Sequence, residues 1–199
     1  MGRPDLILSD EYNHSSLING SRLSGATVVT YRHGDIDHLE QGLATARPRH
    51  RRCLIVTDSV FSMDGDLCPL PAILNLGHTY DAMVLIDEAH GTGVLGKRGA
   101  GGVDHWGCTG APLIQMGTLS KAGGLSGGYL CSSRNVVDLL VNRARSFIYS
   151  TAPSPALAAT ISASLSRIEG PDGEERRRRL RRNLRLIAPE PSSAILPFV

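Results

Sequence analysis

At 199 residues the chain is long enough for one well-buried domain, or for one domain and part of another, and too short for two full ones. With 41% hydrophobic and 20% charged residues, and no run near the roughly 18 consecutive apolar residues that a membrane span needs, it does not read as a membrane protein. A net charge of +2 leaves no electrostatic footprint for nucleic acid, and the basic run Arg176–Arg182, preceded at helical spacing by Glu174 and Glu175, reads as a solvated helix face.

Short apolar runs alternate with helical patterns from the start, which is the sign of βαβ units around a mostly parallel sheet. In chain order the strands are expected at Leu6–Ser9, Thr27–Tyr31, Cys53–Thr57, Met83–Asp87, Leu113–Gly117 and Gly127–Cys131. Several lack alternation and so read as buried on both faces. Helices are expected at Ile36–Ala46, at Leu70–Tyr80 with prolines in its first turn, and at Arg134–Arg145 with Ser132 and Ser133 as N-cap candidates. After Tyr149 the pattern changes. A long helix over Ser154–Ile168 is expected, then a break at Gly170-Pro171-Asp172-Gly173, an Arg-rich helix, and an apolar ending, Ala194–Val199, that looks like a strand cut short. This divides the chain into residues 1–170 and the beginning of a second domain at 171–199. Cys53, Cys68, Cys108 and Cys131 form no CxxC pair, which argues against a zinc ribbon or a redox motif. They read as buried free thiols in a reducing cytosol.

Two familiar patterns overlap on Asp87-Glu-Ala-His-Gly-Thr-Gly-Val-Leu-Gly-Lys97. Asp87–His90 spells a helicase box and Gly91–Lys97 a phosphate loop, but an NTPase puts that loop ahead of the acidic box and closes it with Ser or Thr, where Arg98 stands here. Gly91–Gly96 also matches GxGxxG, yet Lys97-Arg-Gly-Ala-Gly-Gly102 is a poor helix opening and no acidic residue comes about 20 positions on. A flexible loop after a strand explains these glycines better.

A third reading uses more of the chain. Asp87 ends an apolar strand, at the edge where open α/β sheets bind ligands, and a carboxylate there suits a pyridine nitrogen that must stay protonated. His90 follows three residues on, with small Ala89 between them to let a flat ring approach. Lys121 emerges from a second strand into a glycine-rich turn, where desolvation would favour Schiff-base chemistry, and Thr118 and Ser120 offer hydroxyls to a phosphate. Singly, Lys121 reads as a surface charge and His90 as a structural histidine.

Together these segments resemble the fold-type I pyridoxal 5'-phosphate (PLP) enzymes, and more narrowly the α-oxoamine synthases, which are acyl-CoA:amino acid C-acyltransferases. The resemblance rests on Ser9-Asp-Glu-Tyr-Asn-His-Ser-Ser16, Phe61-Ser-Met-Asp-Gly-Asp66, Ile86–Gly93, Gly117-Thr-Leu-Ser-Lys121 and Phe147–Pro155, in family order. It implies an α/β, mostly parallel, three-layer αβα large domain and the start of a smaller α+β C-terminal domain. By the same resemblance His14 stacks on the cofactor ring opposite Ala89, and Ser62 and His90 lie near its phenolic oxygen. Asp87 partners the pyridine nitrogen, Thr118 binds phosphate, and Lys121 forms the Schiff base. Ser150 and Thr151 help bind the phosphate held mainly by the other subunit of a homodimer.

The chemistry implied is condensation of an amino acid with an acyl-CoA or acyl-carrier-protein thioester, followed by decarboxylation to an aminoketone. Lys121, once displaced by the amino acid, removes the α-proton, and His90 orients carbonyl groups. The Asp87–Gly93 and Ile148–Thr151 runs fit the branch that joins L-alanine to a pimeloyl thioester in biotin synthesis. Thr118–Gly124 fits the glycine-accepting branch as well, and an aminotransferase on the same fold stays open. Family members run to nearly twice this length, so a Gly-rich phosphate-binding segment upstream and a carboxylate-clamping arginine downstream are missing. The chain is therefore expected to be a fragment, weakly active or inactive alone, or a remnant serving only in dimerisation or binding.

Overall fold

The computed structural model describes residues 1–197. Its centre is a six-stranded sheet formed by β1 (Leu6–Asp10), β2 (Thr27–Tyr31), β3 (Cys53–Asp58), β4 (Met83–Asp87), β5 (Leu113–Thr118) and β6 (Gly128–Cys131). The spatial order is β2-β1-β3-β4-β5-β6, with five parallel strands and β6 antiparallel to β5 at one edge. All six expected strands are present; β1, β3 and β5 each run one residue further, and β6 starts one later. Every residue of β1 and β3 is buried, as their unbroken apolar runs require of strands covered on both faces.

Helices α1 (Ser15–Leu23), α2 (Ile36–Ala46), α3 (Leu70–Thr79) and the short α4 (Gly102–His105) belong to the sheet layers. Ile36, Leu39 and Leu43 recur at helical spacing, and Asp35 caps α2 by accepting the His38 N–H at 2.8 Å. Those leucines and Leu70, Ile73 and Leu76 of α3 pack on Leu6, Leu8, Ile55, Val84 and Ile86 on one face of the sheet. On the other face Leu17 of α1 covers Ile7, Leu54 and Val56. The three-layer arrangement is thus built around β1, β3 and β4. Among the described residues no helix is long and apolar enough to cross a membrane.

Beyond β6 come α5 (Arg134–Arg143), α6 (Arg145–Ile148), α7 (Pro155–Glu169) and α8 (Pro171–Arg185). Helices α5, α6 and α7 bury no residue. Ser133 occupies the N-cap of α5 without a side-chain cap bond, while Ser132 Oγ donates to the Leu113 carbonyl at 3.0 Å and so anchors the end of β6 instead. The expected helix through Arg145 is divided at Ala144, whose extended backbone separates α5 from α6. Between α7 and α8 the break shrinks to Gly170, because Pro171 suits the first turn of a helix.

The structure corrects three other expectations. Arg177 is not on a solvated face: it is 3% exposed, and its Nη1 donates to the Ile168 carbonyl at 2.7 Å, satisfying the end of α7 as the two helices pack. Residues 194–197 form no strand; the Ile195 carbonyl lies where a Cβ on Gly65 would stand, 2.2 Å away, so this segment rests on the turn around Gly65. The last two residues of that apolar ending, Phe198 and Val199, lie outside the described residues. Cys53 and Cys68 are buried, but Cys108 is only partly buried and Cys131 is exposed, because β6 is an uncovered edge.

Candidate active site

Three adjacent parallel strands end in aspartate: β1 in Asp10, β3 in Asp58 and β4 in Asp87, all buried at the C-terminal edge of the sheet. The β3–β4 register sets Asp58 beside Asp87. Asp87 Oδ1 accepts the Ala89 N–H two residues on at 2.8 Å, which folds the chain back over the strand end. Asp58 Oδ2 instead accepts the His14 backbone N–H at 2.7 Å, and Asn13 Oδ1 accepts the Asp58 N–H at 3.1 Å. The turn after β1 is thereby pinned to the end of β3.

These groups wall a cavity of about 410 Å³ lined by His14, Asp58, Asp87, Ala89, His90, Thr118, Ser120 and Lys121, with Ser16, Met116 and the glycines at 117, 127 and 128. His14 also caps α1: its Nδ1 accepts the Ser16 N–H at 3.3 Å. The loop carrying Lys121 is closed by backbone bonds from Leu119 N–H to Gly127 O and from Leu125 N–H to Leu119 O, each 2.9 Å. At its base Thr118 Oγ1 and Ser120 Oγ are 2.7 Å apart. A Cβ on Gly117 would stand 2.6 Å from the Tyr129 hydroxyl oxygen and 2.7 Å from the ring carbon that bears it.

Of the residues picked out from sequence, His14, Asp87, Ala89, His90, Thr118 and Lys121 meet in this one cavity. Ser62 lies outside it, in the turn between Val60 and Leu67, which are joined by an antiparallel bridge. Ser150 and Thr151 are also outside and exposed; Ser150 Oγ donates to the Phe147 carbonyl at 3.1 Å. The expected desolvation of Lys121 does not hold, since its side is open to solvent along an exposed glycine-rich loop. Burial does lower the pKa of His90, helped by the Lys121 and His14 charges and opposed by Asp87, so its imidazole is neutral at neutral pH. Burial pushes the Asp58 carboxyl up to about 7, against the His14 N–H bond that favours its anion, with Asp87 and Asp10 adding to the rise.

Asp58 was missed by sequence reasoning although it repeats the signal of Asp87, an aspartate closing an apolar strand. Glu88 was read only as a letter of the helicase box. It is wholly buried and accepts bonds from Ser59 Oγ, Gly102 N–H and Val103 N–H, each at 2.8 Å, so it ties the loop after β4 to α4. Gly101, at φ 102°, would place a Cβ 2.9 Å from that carboxylate.

The donor set suits a flat anionic cofactor with an aldehyde. Asp87 has one oxygen bound to the backbone and faces the cavity, Ala89 leaves space for a ring, hydroxyls of Thr118 and Ser120 are available to a phosphate, and the Lys121 amine is accessible. A larger cavity, of about 810 Å³, opens at the other edge of the sheet beside Met83, Val84 and Leu113. Parallel sheets bind ligands at the carboxyl ends of their strands, and the smaller cavity is there.

The fold and this edge are those of a fold-type I PLP-dependent transferase domain. The chain belongs to the aminotransferase class I and II family, whose model matches residues 2–190. A protein of Acaryochloris marina named "Putative 8-amino-7-oxononanoate synthase" is 57% identical over 180 residues, covering 90% of this chain and 45% of the relative. One of the same name from Gloeothece citriformis is 54% identical over 187 residues, or 94% and 49%. Among solved structures, a Sphingomonas wittichii serine palmitoyltransferase superposes with a TM-score of 0.88 at 29% identity, covering 94% of this chain and 46% of its own. The 8-amino-7-oxononanoate synthase of Francisella tularensis gives 0.80 at 28% identity, covering 99% and 58%. A serine palmitoyltransferase from S. paucimobilis, with a bound PLP–myriocin aldimine, gives 0.87 at 29% identity over 92% of this chain and 47% of its own. The chain spans about half the length of the curated relatives it matches.

Proposed function

We propose that the protein supplies the PLP-binding centre of an 8-amino-7-oxononanoate synthase, a cytoplasmic homodimer that condenses L-alanine with a pimeloyl thioester and releases carbon dioxide. The observation that carries this reading is the convergence of Asp87, His90, Thr118 and Lys121 on one cavity at the C-terminal sheet edge. The cofactor, when bound, supplies a ring that accepts the electron pair left at the substrate Cα. Asp87, buried at the end of β4, would keep a proton on the ring nitrogen. Lys121 would hold the cofactor's aldehyde, and its Nζ is the base placed to take the substrate α-proton. Neutral His90 would orient oxygen groups, and His14 and Ala89 would hold the ring. Thr118 and Ser120 hold phosphate.

Ser150 and Thr151, exposed beyond the end of α6, would meet a second subunit, and Ser62 belongs to the same proposal although its turn lies outside the cavity. The division of the chain at residue 170 belongs to the same proposal. Gly170, the break between α7 and α8, is the local feature behind it.

The test is titration of the 199-residue chain with PLP. A visible absorbance band that Lys121→Ala abolishes is expected, and the wild-type chain is expected to turn over L-alanine and pimeloyl-CoA faster than glycine and acetyl-CoA. The reverse preference would move the assignment to a glycine C-acetyltransferase. Absence of any Lys121-dependent band would overturn the reading in favour of a non-catalytic module.

A further inference from the structure

We infer that His33, held as an imidazolium between Asp10 and Asp66, is a positioning residue that fixes the turn presenting His14 and the hairpin presenting Ser62. His33 lies in the loop between β2 and α2. Its Nδ1 is 2.9 Å from Asp10 Oδ1 and its Nε2 is 2.8 Å from Asp66 Oδ2. Ionised carboxylates only accept hydrogen bonds, so both ring nitrogens must donate, and a ring that donates twice carries a charge. The ring is also sandwiched: Tyr12 stacks on it at 4.4 Å between centroids and Phe61 meets it edge-on at 4.3 Å.

These partners come from two separate segments. Asp10 closes β1, and besides the ring it accepts the N–H groups of Tyr12 at 2.9 Å and Gly34 at 3.1 Å. Its carbonyl accepts the Asn13 N–H at 3.2 Å, one residue before His14. Phe61 and Asp66 belong to the hairpin, where the Phe61 N–H donates to the Asp66 carbonyl at 3.0 Å and Ser62 lies between them in the turn. Asp66 depends on His33 most: its Oδ1 is buried with no hydrogen-bond partner among the described residues, and Nε2 is the donor on its Oδ2.

Loss of the proton would set a ring lone pair against a carboxylate. Asp10, with a side chain 2% exposed and two backbone donors, keeps its bond; Asp66, 43% exposed, can turn to water and free the hairpin. The charged groups facing the ring are Asp10 and Asp66, with Glu11 taking the His33 backbone N–H at 2.8 Å; the neighbouring Arg32 is bound to Asp35. Burial pulls the ring's pKa down, and the two carboxylates more than reverse it.

Placing His14 and Ser62 in a cofactor site rests on the function proposed above; the brace does not. The test is ring-nitrogen and amide NMR of the full chain from about pH 5 to about pH 9. His33 is expected to show two protonated ring nitrogens and a midpoint above the ordinary histidine value of about 6.5. The amides of Tyr12, Asn13, His14 and of Ser62–Asp66 should move with that midpoint. Asp66→Asn should lower the midpoint, and His33→Gln should abolish the shared titration. A His33 ring with one protonated nitrogen at about pH 6, or hairpin amides that ignore its titration, overturns the inference. PLP absorbance, measured on the same wild-type sample, reports on the cofactor reading separately.

Discussion

Asp58→Asn gives the sharpest test of how the site is built. Burial holds the Asp58 carboxyl at about 7 in the fold against an ordinary value of 3.8, so the folded chain binds this proton more tightly than the unfolded chain does. At ~1.36 kcal/mol per pH unit between the two values, ionising Asp58 costs the fold roughly 4 kcal/mol. The sign follows from the direction. The contribution is whole below about pH 3.8 and is lost as the pH rises through about 7, after which the loss levels off. Asparagine keeps an oxygen for the His14 N–H and does not titrate. Its NH2 group adds a constant cost of about 1–3 kcal/mol if it finds no acceptor.

The stability of Asp58→Asn relative to wild type should therefore climb by up to about 4 kcal/mol between about pH 4 and about pH 8. Urea unfolding of both proteins at about pH 4, 5, 6, 7 and 8, with the slope checked for constancy, measures it. A difference that stays flat over this range would refute the argument, because it would mean that Asp58 is ionised throughout and reaches water. If the rise is found, a carboxylate that costs the fold this much beside Asp87 and Lys121 is retained for its chemistry.

Glu88→Ala leaves Ser59 Oγ and the Gly102 and Val103 N–H groups without their acceptor. At about 1 kcal/mol or more each, the loss should reach at least ~3 kcal/mol, a fall in Tm of roughly 6–12 °C for a chain of this size. Glu88→Gln, which keeps one acceptor oxygen, should fall in between, and a thermal melt that separates neither variant from wild type would show that the loop after β4 is held by something else.

The sheet was legible because its strands are continuous apolar runs: Leu6–Leu8, Cys53–Val56 and Met83–Ile86 have no competing helical period. Helix α1 was not, since Leu17 is its sole buried apolar residue, Leu23 is 88% exposed, and its cap is a histidine rather than Ser, Thr, Asp or Asn. Local pattern likewise hid Arg177, one arginine in a run of alike neighbours, whose burial depends on where the α7 carbonyls end. In the site, the residues next to strand ends were found, because a strand fixes where its last side chain goes. Asp58 was lost by ending β3 one residue early, and the row of aspartates on β1, β3 and β4 emerges only from strand order and register, which no local window contains. Ser62, Ser150 and Thr151 came from resemblance alone, and the structure leaves all three outside the cavity, because none stands at the end of a strand that would fix where its side chain goes.

The two walls of the site differ in stiffness, and this sets a last expectation. Asp58 and Asp87 stand on β3 and β4, packed on both faces, whereas Lys121 hangs between β5 and β6, and β6, α5 and α6 contribute no buried residue. Leu139 and Phe147 on those helices and Tyr149 just after α6 are 54%, 62% and 77% exposed, so few apolar contacts oppose local opening on that side. Amide hydrogen exchange should find β1 and β3 opening only with global unfolding, and β6, α5 and the loop from Leu119 to Gly127 exchanging orders of magnitude faster. Added PLP should slow that loop far more than β3, because a ligand that joins Lys121 to Asp87 stabilises most the element that was loosest. Equal protection in β3 and β6 without ligand would contradict the burial argument. Uniform slowing on PLP addition would mean that the cofactor finds a site already rigid. The fast pattern instead makes the carboxylate wall the template on which the lysine loop closes.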